Sequence, residues 1–383
     1  MKWEKVAIKD ICTGIYDGPH ATPPLSDTGA IFLGISNFNN GRLDFSDIRY
    51  ISEDDLPKWT KRVIPQKNDI VFSYEATLNL YAIIPEGFRG CLGRRMALLR
   101  VDETKADYKF LYYYFYSDAW RATVNENIVL GATVDRIPLI KFPDFPVELP
   151  PLETQHRIAD ILSAYDDLIE NNQKQIKLLE EAAQRLYKEW FVDLRFPGYE
   201  NTKIVDGVPE GWIKEEIGKI IKKVHRTKQI VASEYRDEGS IPIVDQSRAF
   251  VAGYTNDLEA RVDFGIPIIV FGDHTRIVKL IQFPFAKGAD GTQLIISDCL
   301  EMPQRLLYCS IMNVDLSNYH YARHFKYLKE EKIMIPTVKV ANEFENNVTG
   351  IFSKIQNCRD EIIRCQKTRN LLLPKLMSGE VEV

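Results

Sequence analysis

Residues 149–198 read LPPLETQHRIADILSAYDDLIENNQKQIKLLEEAAQRLYKEWFVDLRFPG and predict one long amphipathic helix in mid-chain. Pro150 and Pro151 are typical of a helix start, and Pro197 is typical of a stop. Apolar residues recur between them at steps of three and four, and Asn172 interrupts this stripe near its middle. Globular helices average about three to four turns, so roughly nine turns without a breaker indicate an unusual element.

A second amphipathic helix is predicted at the end of the chain, from Phe344 until Pro374 stops it. Its apolar residues alternate four and three positions apart, which is the spacing of a coiled-coil seam. Each helix has one apolar stripe and is unstable alone in water, so the two stripes are expected to pair. The alternative is two surface helices that each pack on their own domain. If the stripes pair, the order of the chain makes the pair antiparallel.

The regions before the two helices look like diverged copies of one another, which predicts an internal repeat. Each copy opens with one apolar spacing, interpreted as a short amphipathic helix: Trp3, Ile8 and Ile11, then Trp212, Ile217 and Ile220. Strand-like runs follow in matching order: IFLGI from Ile31, DIVFSY from Asp69, YAII from Tyr81 and RMALLRV from Arg95, then IPIV from Ile241, IPIIVFG from Ile266, IVKLI from Ile277 and QLIIS from Gln293. A further helix is predicted in each copy, from Tyr108 to Asn125 and from Gln304 to Asn313.

The predicted fold class is therefore α+β, with two similar globular α/β domains at opposite ends of an antiparallel two-helix coiled coil and a pseudo-two-fold internal repeat. The predicted bounds are 1–148 and 197–335 for the domains, and 149–196 and 336–383 for the helical regions. The chain has 383 residues, of which 45% are hydrophobic and 27% charged, so two ordinary soluble domains are expected.

Composition also limits the location and the partners of the chain. No run of about 18 apolar residues is present and the start MKWEKVAIKD lacks a signal profile, so a cytoplasmic protein is predicted, neither membrane-inserted nor secreted. The six cysteines form no CxxC pair, which favours reduced structural thiols. A net charge of −5 is unusual for a nucleic-acid binder, so any such function must depend on local basic patches or on a basic partner.

Catalytic and metal-binding motifs are missing from the sequence. There is no GxxxxGK[ST] loop, no HExxH, and no Asn-Pro-Pro-aromatic element of the kind expected in an adenine methyltransferase. His320 and His324 have the spacing of two metal ligands on one helix face, but Arg323 and Lys326 would repel a cation. A basic binding face is the preferred interpretation, and no metal site is predicted.

Clustered cations next to glycines, aromatic residues and polar turns suggest contacts with DNA phosphates and base edges. The candidates in the first domain are Arg89, Arg94, Arg95, Thr133 and Arg136. The candidates in the second domain are Lys222, Lys223, Arg226, Asp273, His274, Arg276, Asp290, Thr292, His320, Arg323, His324 and Lys326. A solvated surface explains the basic run near Lys222 equally well, and a simple turn explains GATVDR from Gly131. The aromatic run from Tyr112 to Tyr116 could stack on bases, but at helical spacing it is more typical of a core.

The chain resembles the specificity subunits of type I restriction-modification systems over essentially its whole length. The most diagnostic segments are LPPLETQHRIADIL from Leu149, RLYKEWFVDLRFPG from Arg185, IVDGVPEGW from Ile204 and LLLPKLMSGEVEV from Leu371. FGDHTR from Phe271 and GADGT from Gly288 are similar to segments of the family's target recognition domains, though less specific.

The resemblance implies two target recognition domains that each read one half of a split DNA sequence, separated by helices that act as a ruler. It implies a non-catalytic subunit without a cofactor of its own. S-adenosylmethionine is expected on modification subunits, and ATP with magnesium on a restriction subunit that translocates and cleaves DNA. The alternative function is a coiled-coil scaffold that binds protein partners and not DNA. A self-sufficient nuclease or methyltransferase is disfavoured by the missing motifs.

Overall fold

The computed structural model describes residues 3–129, 134–224, 227–288, 291–319 and 323–383. The chain folds into two compact units: unit 1 is Met1–Glu170 with Ile362–Val383, and unit 2 is Asn171–Glu361. Each unit therefore combines its own sheets with one segment of each long helix. None of the helices in the described ranges is long and apolar enough to cross a membrane. The domain bounds given above stay a prediction.

Unit 1 is built from short strands around an aromatic core. Its strands are β1 Glu4–Ala7, β2 Cys12–Asp17, β3 Ala30–Leu33, β4 Phe38–Asn39, β5 Arg42–Leu43, β6 Tyr50–Ile51, β7 Ile70–Ser73, β8 Tyr81–Ile83, β9 Gly90–Leu92, β10 Met96–Val101 and β11 Pro146–Leu149. Its helices are α1 Leu56–Trp59, α2 Tyr108–Tyr114, α3 Asp118–Asn127 and the first part of α4 Leu152–Tyr187. Strand β10 lies between β2 and β7, and β7 also pairs with β8. The run from Tyr112 to Phe115 is buried in the core, as its helical spacing predicted.

Unit 2 repeats this strand plan. Its strands are β12 Ile204–Val205, β13 Val208–Pro209, β14 Ile213–Glu216, β15 Ile241–Val244, β16 Gly253–Thr255, β17 Arg261–Val262, β18 Ile268–Gly272, β19 Val278–Ile281, β20 Phe285–Lys287, β21 Thr292–Ile295 and β22 Lys332–Ile335. Its helices are α5 Gln304–Met312, α6 His324–Glu330 and the first part of α7 Val338–Met377. Each strand-like run named from the sequence is confirmed as a strand.

The pairing of the strands confirms the internal repeat. Strand β9 runs parallel to β3 in unit 1, and β20 runs parallel to β15 in unit 2. The order β10-β7-β8 matches the order β21-β18-β19. The first and last strands of each copy pair antiparallel, β1 with β11 and β14 with β22. The two units therefore share the same order and direction of strand pairing despite their divergent sequences.

The long helices pair antiparallel in the segments that belong to each unit. In unit 2 the rings of Tyr187 and Phe344 lie 6.3 Å apart, and farther along the pair Arg359 donates to Glu180 at 2.8 Å. As the residue number rises on α4 it falls on α7, which is the antiparallel order. In unit 1 the other two segments share one apolar core. The expected pairing of the stripes is confirmed within each unit, where both helices also pack on the sheets.

The prediction of a short amphipathic helix at the start of each copy is wrong. Each copy opens with a strand, β1 or β14, followed by a 3-10 turn at Ile8–Ile11 or Ile217–Lys219. Residues three apart share a face in a 3-10 turn as they do in an α-helix, so the apolar spacing alone does not separate the two. The hydrogen bonds of each strand come from distant partners, β11 and β22.

Two helix bounds also differ from the prediction. The helix expected from Tyr108 to Asn125 is two helices, because the Ser117 side chain accepts from the Trp120 amide at 3.2 Å and starts α3. Pro374 does not stop the closing helix, since α7 continues through it to Met377. Pro374 lies within the last turn of α7, where the lack of its amide proton removes a single hydrogen bond. Burial of the Met377 side chain, 5% exposed, stabilises this last turn.

Candidate nucleic-acid interface

Unit 2 contains a cavity of about 840 Å³ whose charged lining residues are mainly cations, called here the cationic cleft. The cations lining it are Lys222, Lys223, Lys287, Arg323 and Lys329. They come from the segment after β14, from the end of β20 and from around α6. Among the described residues that line the cleft, Asp273 is the one acid. A concave cationic surface of this kind attracts a polyanion.

Asp273 forms hydrogen bonds that hold the start of α6. Its side chain is 4% exposed, and Oδ1 accepts a hydrogen bond from the Phe325 amide at 2.8 Å. Its carbonyl accepts from the His324 amide at 2.9 Å, so the residue holds both first amides of α6. Thr292 on β21 is 0% exposed. Both residues belong to the wall of the cleft but are buried there, and their contact role stays a prediction.

His324 is also buried, 3% exposed, which contradicts its predicted place on a basic binding face. Burial lowers the pKa of His324, and the nearby charge of Arg276 lowers it further. Its Nδ1 has no hydrogen-bond partner among the described atoms. The described residues contain no group of three side chains able to hold a metal ion.

The turn after β18 forms one rim of the cleft. His274 and Arg276 are exposed there, and Arg276 has a left-handed backbone with φ of 60°. The Arg276 guanidinium donates to the Leu316 carbonyl at 2.9 Å, which fixes its direction. Lys326 is exposed on α6 but does not line the cleft, and its Nζ lies 5.8 Å from the Tyr327 ring. The turn therefore brings His274 to the same surface as Lys222 and Arg323, whereas Arg276 does not line the cleft.

Unit 1 has a smaller cavity, of about 310 Å³, with three arginines around it: Arg49, Arg94 and Arg95. This group is called the arginine cluster. Arg94 is exposed, and the Arg95 Nε lies 3.4 Å from a Glu75 carboxylate oxygen. Gly93 forms part of the wall, where a Cβ atom would lie 2.5 Å from the Leu33 carbonyl oxygen. Only glycine fits at this point, which lets the next two arginines turn toward the cavity.

Arg89 lies outside this cluster. It is exposed and forms an ion pair with Glu53 through two guanidinium nitrogens. The hydrogen bond from Arg89 lowers the pKa of Glu53. Of the five candidates in the first domain, the structure therefore brings together Arg94 and Arg95, and leaves Arg89 apart.

Arg136 and Arg323 occupy equivalent positions in the two units. The amide after Arg136, that of Ile137, donates to the Tyr74 carbonyl at 2.8 Å, and the amide after Arg323 donates to the Asp273 carbonyl at 2.9 Å. Tyr74 and Asp273 each directly follow the strand that occupies the same place in its sheet, β7 or β18. Both arginines are exposed. The two arginines therefore share one backbone frame. Arg323 lines the cationic cleft, whereas Arg136 does not line the cavity of unit 1 and forms a backbone bridge with Glu75, whose carboxylate lies near Arg95.

Four candidates, Thr133, Arg226, Asp290 and His320, lie outside the described residues. Sequence reasoning missed three cations that line the two cavities, Arg49, Lys287 and Lys329. Lys287 directly precedes GADGT, so its position beside a polar turn was a usable signal. Arg49 stands alone between acidic and aromatic residues, where no local pattern marks it.

Comparisons with known proteins agree on one family. The family described as "Type I restriction modification DNA specificity domain" matches residues 1–181. The chain is 27% identical to the type I restriction enzyme MjaIX specificity subunit of Methanocaldococcus jannaschii, over 88% of this chain and 82% of that protein. It is 31% identical to the EcoR124I/EcoR124II specificity subunit of Escherichia coli over 25% of this chain and 24% of that one. In fold it resembles the crystal structure of the type I restriction-modification S subunit from M. genitalium, with a TM-score of 0.58, 17% identity, and 98% and 96% of the two chains covered.

Proposed function

We propose that the chain is a specificity subunit of a type I restriction-modification system and that it binds double-stranded DNA through the cationic cleft and the arginine cluster. Each unit reads one half of a split target. The observation that carries the proposal is the equivalence of Arg136 and Arg323, both exposed on the same backbone frame, of which Arg323 lines the cationic cleft. A repeated fold with a repeated cation suits a target of two separate halves.

The cations have two kinds of task in this proposal. Lysines such as Lys222 and Lys329 act as point charges for phosphates, and their binding is weakened by salt because counterions are released. Arg136 and Arg323 are suited to guanine, since a guanidinium donates two hydrogen bonds to its major-groove edge. Lys222 lies 3.7 Å from an Asp298 carboxylate oxygen, and exposed pairs of this kind exchange readily with phosphate.

The chain is the non-catalytic subunit of its complex, so the chemistry is assigned to partners. We place S-adenosylmethionine on modification subunits, and ATP with magnesium on a restriction subunit. An adenine must leave the base stack to be methylated, and holding the duplex in register for that step is the task that remains for this chain. The exposed faces of the long helices, with residues such as Lys188 and Glu189, are the proposed docking surface for partner subunits.

The test is selection of bound DNA from a random library by the full chain reconstituted with modification subunits. Wild type is expected to select two short motifs separated by unspecified base pairs. Arg136→Ala should relax one motif and Arg323→Ala the other, each with a loss of about 1–3 kcal/mol at the affected base. Arg89→Ala and Arg261→Ala are matched controls, because both arginines are exposed and paired with acids outside the cavities.

Three outcomes would contradict the proposal. Selection of no split motif by wild type would remove sequence reading altogether. An equal loss at every DNA sequence for both variants would reduce the two arginines to phosphate contacts. Binding of partner subunits without any DNA binding would favour the scaffold.

A further inference from the structure

A loop that sequence reasoning did not single out lies against the rim of the cationic cleft. It is the loop 245–250, between β15 and β16, and it reads DQSRAF. The Gln246 Oε1 accepts from the His274 amide at 3.1 Å, and the Gln246 carbonyl accepts from the Thr275 hydroxyl at 2.7 Å. The loop and the turn after β18 therefore form one continuous surface.

Gly291, in the wall of the cleft, packs tightly against the contact between Gln246 and His274. Gly291 lines the cleft with a left-handed backbone, and a Cβ atom there would lie 2.7 Å from both the Gln246 Nε2 and the His274 Cδ2. No side chain fits at this place, so the loop closes directly onto the wall of the cleft. Arg248, near the middle of the loop, is exposed and adds a cation at this edge.

Lys279 holds the loop from below. It lies on β19, is 5% exposed, and its Nζ donates to the carbonyls of Asp245 at 2.8 Å and Ala249 at 2.5 Å. One amine thus joins the two ends of a short loop. The nearest carboxylate oxygen, on Asp245, is 4.0 Å away, and burial lowers the pKa of Lys279 to about 8. Lysine is almost never fully buried unless paired, so a specific contact must offset the cost of this placement.

The far end of the loop is also anchored. The Arg359 guanidinium carbon lies 3.7 Å from the centre of the Phe250 ring, and Arg359 is held in turn by Glu180 at 2.8 Å. A guanidinium that stacks on an aromatic ring is attracted by the ring, and the attraction is stronger where the pair is partly buried. The loop is therefore fixed at three places: the turn at Gln246, the amine of Lys279, and the long helices of unit 2 at Phe250.

We propose that the loop 245–250 is a further DNA-contacting segment of unit 2, with Arg248 as its contact residue, and that Lys279 is the positioning residue that fixes it. This rests on the proposed function. Arginine pairs with guanine or with phosphate. The loop supplies this side chain at the rim where Arg323 and the lysines of the cleft supply charge.

The first test needs no DNA, so it separates this inference from the proposed function. Hydrogen exchange of the full chain is measured for wild type, Lys279→Met and Lys279→Arg, with Lys214→Met as control because Lys214 is exposed on β14. Lys279→Met should speed exchange in residues 245–250 by about tenfold while other strands keep their protection. Lys279→Arg should restore much of the protection. Unchanged exchange in Lys279→Met overturns the positioning role.

The second test uses the reconstituted complex and the target selected by wild type. Lys279→Met should lose about tenfold in discrimination at one half-site only, while binding at the other half stays selective. Arg248→Ala, an exposed change that does not depend on refolding, should weaken binding and flatten its salt dependence. Unchanged binding by Arg248→Ala, or equal loss at both half-sites by Lys279→Met, overturns the proposal. If wild type selects no target while the exchange result holds, the proposed function fails and the loop is only structural.

Discussion

Asp166 on α4 joins three parts of unit 1, and its removal should destabilise the unit measurably. Its carboxylate accepts from the Tyr113 hydroxyl at 2.5 Å through one oxygen and pairs with Arg369 of α7 through the other. The side chain is 12% exposed and that of Arg369 is 25% exposed. Breaking a buried pair by removing one partner costs about 3–5 kcal/mol. Because Arg369 reaches water in part, about 2–4 kcal/mol is expected for Asp166→Ala.

The assay is urea unfolding of the full chain, followed by a signal from the tyrosines of unit 1. Asp166→Asn keeps an acceptor for Tyr113 but loses the charge, so it should fall between wild type and Asp166→Ala. Asp167→Ala is the matched control, since Asp167 is the next residue and is exposed. It should change the free energy of unfolding by less than about 0.5 kcal/mol.

A loss below about 0.5 kcal/mol for Asp166→Ala would refute this reasoning, because the carboxylate would then contribute no more than an exposed pair. An equal loss in Asp166→Ala and Asp167→Ala would refute it as well, since helix propensity and not the network would be responsible. A double-mutant cycle with Arg369→Ala would then give no coupling energy.

Two further predictions concern buried polar groups in unit 2. The pKa of Lys279 is lowered to about 8 from an ordinary 10.5, so between these values the unfolded chain binds a proton that the folded chain has released. The free energy of unfolding of wild type should therefore rise with pH in this window, relative to Lys279→Met, by at most about 1.4 kcal/mol per pH unit, and a difference that stays flat in urea titrations would contradict the shift. Cys358 on the helix seam is 0% exposed, so Cys358→Ser should cost about 1–3 kcal/mol in thermal or urea unfolding, while Cys299→Ser, at a half-buried position, should cost clearly less; equal losses would count against a close-packed seam.

Features that depend on local apolar pattern were predictable from the sequence. Runs such as IPIIVFG combine β-branched residues with flanking turn residues, and they became strands such as β18. The two long helices were predictable from helix start and stop residues and from the single apolar stripe along each of them. The 3-10 turns at the start of each copy were not predictable, because Ile8 and Ile11 give the same spacing in either kind of helix. Parallel pairing of β3 with β9 joins residues far apart in sequence, which no local pattern reports.

The candidate site was predictable as a set of segments but not as a set of side chains. FGDHTR and the segment around Arg323 do meet at the cationic cleft. The structural role of Asp273 was not predictable because its partner, the Phe325 amide, lies 52 residues away, and only the tertiary fold brings them together. The loop 245–250 was missed for a similar reason, since its three anchors are scattered over β19, the turn after β18 and α7.

The acidic net charge does not conflict with DNA binding, because the fold sorts the charges. The basic run near the start of unit 2 looked like one patch in the sequence, yet its lysines have separate fates. Lys219 pairs with Glu215 at 2.9 Å, and Lys228 pairs with Asp257 at 2.7 Å, so both are neutralised locally. Lys222 and Lys223 instead line the cationic cleft, where Lys222 lies 3.7 Å from the exposed Asp298 carboxylate and the one lining acid, Asp273, accepts from the Phe325 amide. The potential inside the cleft therefore depends on where the fold places each charge, and the total of −5 carries no information about it.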